Sequence, residues 1–189
     1  MHTMPDLTDL TDLTAPDDLP DPYAAVTGAR VDVAVTVPLP RDRVWKLITD
    51  VRLHGAWSPE CFHASWLPDT PQPVRPGARF AARNRYPDGS ESQVVCQVTE
   101  AVAPVVFAWA VLDGRGDVAR PSALWRYELG PAAGAGRTEV RHSFVHGPGD
   151  SGARAAALRA PETLAGRLAA LRHNMELSLA AMARTEEYR

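Results

Sequence analysis

Apolar and polar residues alternate along much of the chain, and this period of two is typical of β-strands with one buried face. The pattern is first seen in residues 31–37, where valine occupies every second position. It returns in five later segments, residues 79–86, 91–102, 105–112, 123–129 and 138–146. Turn sequences such as Pro87-Asp88-Gly89 separate these segments at short intervals. The sequence therefore predicts an antiparallel sheet of about six to seven strands.

Helical patterns occur on both sides of this series. Residues 41–50 follow the first predicted strand directly, and we expect two short helices between that strand and the rest of the sheet. A long helix begins near Pro161, a residue type favoured in the first turn. Its apolar stripe repeats at spacings of three and four and comprises Leu164, Leu168, Leu171, Met175, Leu179 and Met182. This order predicts an α+β fold, a curved antiparallel sheet wrapped around the long C-terminal helix.

A sheet that curves around a helix tends to enclose a hollow, and strand alternation predicts which side chains face it. The apolar lining is expected to include Trp57, Phe80, Phe107, Trp109, Trp125, Phe144 and Met175. Polar positions on the same concave face are Asn84, Ser92, Tyr127, His142 and His146. Because most of this lining is apolar, we expect an internal pocket that binds a hydrophobic small molecule.

Composition divides the chain into a tail and one domain. Residues 1–29 hold six aspartates, no Lys or Arg, and a short Leu-Thr-Asp repeat followed by prolines. Such a segment is typical of a disordered tail, and a docking peptide is the alternative. Residues 30–189 are expected to form a single domain. Cys61 and Cys96 are expected to be free thiols, because no secretory signal accompanies them.

Several function classes are disfavoured. Arginines are scattered without interleaved aromatic residues, so we expect no nucleic-acid partner. No apolar run reaches the roughly 20 residues of a membrane span, and a cytoplasmic, monomeric or homodimeric protein is expected. His142 and His146 lie about 13 Å apart along a strand, too far for one metal ion. No phosphate loop or nucleophile elbow is visible, and neither function considered below requires a cofactor.

Motifs along residues 30–185 resemble the helix-grip fold of the SRPBCC superfamily, which includes START domains and birch-pollen-allergen-like proteins. The chain looks like the bacterial polyketide cyclase/dehydrase and lipid transport branch. The matching segments are Val44-Trp45, Gly55-Ala56-Trp57-Ser58-Pro59-Glu60, Ser65-Trp66-Leu67, Gly77-Ala78-Arg79-Phe80, Arg83-Asn84-Arg85, Val98-Thr99-Glu100, Phe107-Ala108-Trp109 and Trp125-Arg126-Tyr127. Where similar sequences often carry a tryptophan, this chain has Ser92-Gln93, which implies a wider or more polar pocket.

The resemblance implies candidate catalytic residues for aldol cyclisation and loss of water in a poly-β-ketone chain. His142 could move a proton, Tyr127 could donate to an enolate oxygen, and Asn84 could hold a carbonyl. Family cyclases also use an arginine in the third strand. Alternation from Phe80 points Arg85 outward, as it does Arg83, unless a bulge near Tyr86 reverses the face.

The same residues have structural interpretations. A strand histidine or tyrosine often only packs, and Glu60 is a base at the pocket entrance, a helix cap or a partner in a salt bridge. Two functions therefore remain open. One is a cyclase or dehydratase that acts on a polyketide-like intermediate, and the other is a non-catalytic carrier or sensor of a lipid or other apolar molecule.

Overall fold

A computed structural model describes residues 24–68, 70 and 74–185 of the 189-residue chain. Within these residues the strands are β1 Arg30–Val37, β2 Cys61–Trp66, β3 Arg79–Arg85, β4 Glu91–Val102, β5 Val106–Val111, β6 Ala123–Pro131 and β7 Thr138–His146. The helices are α1 Arg41–Thr49, α2 His54–Trp57, α3 Gly152–Arg159 and α4 Thr163–Thr185, and a short 3-10 helix spans Val51–Leu53. Most of the predicted tail, residues 1–23, lies outside the described residues.

The described strands form one sheet in the order β1-β7-β6-β5-β4-β3-β2, and each neighbouring pair is antiparallel. Strands β2 to β7 are a meander, and β1 joins the sheet beside β7. The pairing register shifts between Cys61 and His63 and between Val98 and Glu100. Such irregularities bend and twist the strands that contain them, which suits a sheet that curves. The predicted α+β architecture is confirmed.

Burial along β1 shows why its sequence forms an edge strand. Val31, Val33 and Val37 are buried, while the intervening side chains are more exposed. Pro38 and Pro40 then end the strand, and Pro40 precedes the first turn of α1. Buried Thr138 donates its hydroxyl hydrogen to the Leu39 carbonyl at 2.7 Å, which fixes this crossover to β7.

Helix α4 buries the C-terminal part of its apolar stripe in the main core. Leu171, Met175, Leu179 and Met182 belong to this core, while Leu168 is partly buried against it. The helix packs along β1 and also contacts α2 and α3. None of the helices in the described segments is long and apolar enough to cross a membrane.

Two elements were not predicted from periodicity. Strand β2 has an irregular burial pattern and lies at the sheet edge, so its sequence carries no clean alternation. Helix α3 is capped by Ser151, whose hydroxyl accepts a hydrogen bond from the backbone N–H of Arg154 at 3.0 Å. The serine and the following alanine-rich run were the available signals for this helix. Helix α4 begins at Thr163, slightly after the predicted start at Pro161.

A cluster of hydrogen bonds fixes α3 and the segment before β1 to the end of β7. Buried Arg154 donates to the carbonyl of Gly149 at 3.1 Å, to that of Gly147 at 2.5 Å and to the Thr27 hydroxyl at 2.8 Å. His146 lies between the Gly147 carbonyl and the Ser151 hydroxyl, each 3.0 Å from a ring nitrogen. His146 therefore has a structural role in the fold.

Two leucines of α4 test which helix face is buried. Leu179 is 1% exposed and Leu177 is 43% exposed. We expect Leu179→Ala to lower the free energy of unfolding by about 2–5 kcal/mol, because it leaves a cavity in the core. The control Leu177→Ala is expected to change it by less than about 0.5 kcal/mol. Urea denaturation followed by circular dichroism measures both, and equal effects would contradict this orientation of α4.

Candidate functional site

A cavity of about 1610 Å³ lies between the concave face of the sheet, α2 and α4. It is larger than the roughly 300–1000 Å³ of common ligand pockets. The N-terminal half of α4 lines it with residues such as Leu164 and Leu168, while the C-terminal half seals the core. The space that the sequence predicted between sheet and helix is therefore present and open to a guest molecule.

Most of the predicted site residues line this cavity. They are Trp57, Phe80, Asn84, Ser92, Trp109, Trp125, Tyr127, His142, Phe144 and Met175. Phe107 is fully buried but is not part of the lining. Its ring lies against Trp45 and Trp109, with centroid distances of 6.3 and 5.5 Å, so it supports the Trp109 wall.

The structure places Arg85 on the outer face of β3, as strand alternation predicted, and this argues against its possible catalytic role. Asn84 lines the cavity, and Arg85 and Arg83 lie on the opposite, exposed face of β3. The register is regular where β3 pairs with β4, and the shift occurs in β2 instead. Arg85 contacts the Phe62 ring at 4.7 Å and forms an ion pair with Glu91 at 2.7 Å. Because the face is not reversed, Arg85 is not among the residues that line the cavity.

Aromatic side chains form a continuous wall of the cavity. Trp109 and Trp125 stack with their centroids 6.2 Å apart and their planes at 13°. Phe80 meets Trp109 edge to face at 6.0 Å, and Phe144 meets Trp125 in the same manner at 4.9 Å. These residues come from β3, β5, β6 and β7, and antiparallel pairing brings them together. Such a wall offers planar, rigid surface for apolar or aromatic ligand groups.

Trp57 is held at the cavity by a close approach between α2 and β2. A side-chain carbon added at Gly55 would lie 2.6 Å from the Phe62 carbonyl oxygen, so only glycine permits this contact. Buried His54 is the first residue of α2, the helix that Trp57 ends. Its Nε2 lies 2.9 Å from the Ile48 carbonyl oxygen. Because a carbonyl can only accept, Nε2 carries the hydrogen. Burial lowers the pKa of His54.

His142 and Tyr127 face each other directly on paired strands. Their rings stack at 3.9 Å with planes at 13°, and Trp125 lies 5.2 Å from the imidazole. Burial lowers the pKa of His142 to about 3, with a smaller contribution from His54. The imidazole is therefore uncharged near neutral pH. Burial raises the pKa of Tyr127, which keeps its hydroxyl protonated.

His142 differs from the other two buried histidines in its hydrogen bonding. Its side chain is buried, and neither ring nitrogen has a hydrogen-bond partner among the described residues. His54 and His146 each bond through a ring nitrogen to backbone carbonyl oxygen. An unpaired buried polar group costs on the order of 1–3 kcal/mol. Among the fully buried side-chain polar atoms of the described residues, the two ring nitrogens of His142 are the ones without a hydrogen-bond partner.

A second polar region lies where β3 and β4 meet the cavity. Asn84 donates to the Ser92 hydroxyl at 3.3 Å, and the Tyr86 hydroxyl lies 3.0 Å from the same oxygen. All three side chains line the cavity. The predicted effect of Ser92, a wider or more polar pocket, stays a prediction.

Glu60 forms a salt bridge at the edge of the cavity, as one of its two interpretations anticipated. Its carboxylate accepts from both terminal nitrogens of Arg167 and from Asn174, with Arg167 Nη2 at 2.8 Å and Asn174 Nδ2 at 2.9 Å. Ser58 orients the loop, since its hydroxyl accepts from the N–H of Cys61 at 3.0 Å. Burial opposes the charge of Arg167, but Glu60 outweighs it and the pKa of Arg167 is raised.

Sequence reasoning missed Arg167, Asn174, His54 and Tyr86 as parts of this site. Glu60 and Arg167 are 107 positions apart, and no local pattern links them. His54 stood next to the Gly55-Ala56-Trp57 motif, which was the available signal. Among the residues that the structure describes, no group of three or more His, Cys, Asp or Glu side chains is arranged to hold a metal ion.

A sheet closed around a long C-terminal helix, with an internal cavity between them, defines a helix-grip protein of the SRPBCC superfamily. Residues 28–183 match the family described as polyketide cyclase/dehydrase and lipid transport. Because this match covers most of the chain, the protein belongs to that family. The resemblance drawn from the sequence motifs is thereby confirmed.

Solved structures of similar proteins agree with this assignment. The Polyketide_cyc-like protein Cgl2372 from Corynebacterium glutamicum is 25% identical, with a TM-score of 0.56 over 84% of this chain and 91% of that one. Protein NE0264 from Nitrosomonas europaea is 15% identical, with a TM-score of 0.57 over 87% and 97%. Ara h 8.0201 is 13% identical, with a TM-score of 0.57 over 85% and 99%. The last two show the fold alone, and no curated protein sequence matches the chain.

The low pKa of His142 predicts that the protein loses stability in acid. An unfolded histidine has a pKa of about 6.5, so below that pH the unfolded chain binds a proton that folded His142 accepts only near pH 3. The free energy of unfolding therefore receives its full contribution above pH 6.5 and loses it as the pH falls towards 3. We expect His142→Phe to flatten this dependence, measured by urea denaturation from about pH 7 to 4.

Phe144→Leu is the control for lost packing, because Phe144 lies on the same strand and does not titrate. We expect it to lower the free energy of unfolding by a similar amount at every pH. Some dependence remains in His142→Phe, because burial also lowers the pKa of His54 and of His146. An unchanged slope in His142→Phe would contradict the uncharged buried imidazole.

Proposed function

We propose that the protein binds a hydrophobic small molecule in the cavity between the sheet and α4. The observation that carries this proposal is the size and lining of the cavity, about 1610 Å³ with an aromatic wall. Burying about 300 Å² of apolar ligand surface contributes on the order of 7 kcal/mol before the costs of ordering are subtracted.

The residues that line the cavity fall into an apolar group and a polar group. Trp57, Phe80, Trp109, Trp125 and Phe144 supply apolar surface, and Met175 on α4 supplies a flexible thioether that adapts to different shapes. Asn84 and Ser92 supply polar contacts where β3 and β4 line the cavity. The family's description includes lipid transport, which supports a carrier or sensor of an apolar ligand. An uncharged His142 with a pKa near 3 is a weak base, and this also favours binding over catalysis.

A bulky residue at position 92 tests binding directly. We expect Ser92→Trp to fill the polar wall and to weaken binding of the neutral fluorescent probe N-phenyl-1-naphthylamine by at least about tenfold. The control is Thr99→Trp on the same strand, where the side chain is exposed and outside the lining. Probe fluorescence is titrated with each folded variant. Equal affinities for wild type and Ser92→Trp, or no probe binding to wild type, would contradict the proposal.

A second candidate function is aldol cyclisation and dehydration of a polyketide-type intermediate. The observation that favours it is the direct contact of His142 and Tyr127 in the cavity. Neutral His142 would accept an α-proton, and Tyr127 would donate a hydrogen bond to the enolate oxygen. A carbon–carbon bond then forms to a second carbonyl, whose oxygen takes the proton from His142 and becomes a hydroxyl. Removal of a second α-proton and its transfer to that hydroxyl would release water and leave a carbon–carbon double bond. Exclusion of bulk water would protect the reactive chain.

Removal of the Tyr127 hydroxyl distinguishes a catalyst from a non-catalytic carrier. We expect a catalyst to convert a linear β-triketone with loss of water, followed by mass spectrometry, and Tyr127→Phe to lower the rate by about 10²-fold or more. Probe binding by Tyr127→Phe should be preserved, because the ring remains. If the triketone displaces the probe but the wild-type protein releases no water from it, catalysis is excluded and the protein is a carrier.

A further inference from the structure

We propose that the ligand is an uncharged amphiphile, bound with its polar group at Asn84 and its apolar chain along the aromatic wall. This inference rests on the proposed binding function and adds a direction and a head-group chemistry to it. Asn84, Tyr86 and Ser92 line the part of the cavity next to the β3–β4 turn, which we call its hairpin end.

The first observation is where the polar and aromatic residues lie along the strands. The strand pairing of β4 with β5 ends at Cys96, so the first residues of β4 pair with β3 alone. Asn84 and Ser92 face each other on this extension, four positions beyond Cys96. Trp109 pairs with Val98, two positions from Cys96 in the opposite direction. The polar and aromatic parts of the lining are therefore six positions apart along β4, or about 20 Å at the rise of a strand.

The second observation is the hydrogen-bonding capacity of Asn84. Its Nδ2 donates to the Ser92 hydroxyl at 3.3 Å, and its side chain is half-buried in the lining. Its Oδ1 has no hydrogen-bond partner among the described residues, and it does not belong to the fully buried unpaired atoms, which are the ring nitrogens of His142. The Asn84 oxygen is therefore not sealed inside the protein. A hydroxyl or amide N–H of a ligand can donate to it.

The third observation is the distribution of charge at the hairpin end. The carboxylate of Glu60 is bonded to Arg167 and Asn174, and the guanidinium of Arg167 lies 5.6 Å from the Tyr86 ring centroid. Glu60 and Arg167 neutralise each other, and Asp88 in the neighbouring turn adds a negative charge to the lining. A ligand carboxylate would meet no unneutralised positive charge here, and burying it would be costly. The site therefore favours an uncharged polar group.

The opposite part of the cavity suits the apolar chain. Trp109 and Trp125 stack there with centroids 6.2 Å apart, and Phe144 meets Trp125 edge to face at 4.9 Å. The hydroxyl of Tyr127 is the competing polar group in this part, on a ring that stacks against His142 at 3.9 Å. It stands among rings, whereas the hairpin end brings three polar side chains together. We therefore place the head group at the hairpin end.

Three ligands with the same ten-carbon chain test this inference. They are 1-decanol, decyl methyl ether and decanoate, each used to displace N-phenyl-1-naphthylamine from the full chain at pH 7.5. The ether carries a methyl group in place of the hydroxyl hydrogen, so it cannot donate. We expect Asn84→Leu to lower the preference for decanol over the ether by roughly tenfold, because one hydrogen bond is lost. Decanoate should bind wild type less tightly than decanol, and tighter binding of decanoate would overturn the uncharged head group.

Two control variants separate recognition at Asn84 from other effects. Val94→Ala removes apolar surface from the lining on the same strand as Ser92, and it should weaken decanol and the ether equally. Tyr127→Phe removes the competing hydroxyl and should leave the preference unchanged. If the preference for decanol is lost in Tyr127→Phe and kept in Asn84→Leu, the head group lies at the aromatic wall and the inference is wrong.

The direction of the ligand is measured in the wild-type protein without any variant. We expect intermolecular NOEs from the C1 methylene of decanol to the side-chain amide of Asn84. The terminal methyl group should give NOEs to the rings of Trp125 and Phe144. The reverse set of NOEs would contradict the proposed direction.

The outcomes distinguish this inference from the proposed function. If decanol and the ether displace the probe with the same ratio in wild type and Asn84→Leu, the cavity binds apolar chains without recognising a head group at Asn84. The proposed function then stands and this inference fails. If neither the probe nor any of the three ligands binds, both fail together.

Discussion

Burial of the apolar stripe of α4 is the constraint on which the structure depends. Leu171, Met175, Leu179 and Met182 are withdrawn from water in the core, and the helix packs along β1 at one edge of the sheet. The N-terminal half of the helix is held differently, through Arg167 and the carboxylate of Glu60. A helix fixed at one end by apolar packing and at the other by an ion pair spans the concave sheet without filling it. The cavity is the consequence of these two attachments.

The lining combines strong apolar surface with few unsatisfied polar groups. Asn84 and Tyr86 both hydrogen-bond to Ser92, and Glu60 is bonded to α4. The two ring nitrogens of His142 are buried and lack partners within the described part of the chain. A cavity of this kind binds carbon skeletons through area and selects among them through a small number of hydrogen bonds. The proposed function therefore assigns selectivity to few positions and affinity to the aromatic wall.

Membership of the family and identity of the ligand are separate questions, because the fold is shared by proteins of low sequence identity. The chain aligns over most of the length of structures that are 13–25% identical to it. What such a scaffold binds is decided by the side chains on its concave face. Here the small Ser92 and the uncharged His142 are among the polar residues that line the cavity.

Much of the fold was determined by local patterns in the sequence. Strand alternation predicted β4 and β7 at their observed bounds and predicted the inward side of Trp109, Trp125 and His142, because a pleated strand has a strict period of two. The irregular edge strand β2 had no such period and was missed. Only the tertiary structure decided which polar groups meet: Glu60 and Arg167 are 107 positions apart, and the side of Arg85 depended on where a register shift fell. Periodicity is a local property of the chain, whereas these contacts arise from the packing of distant segments.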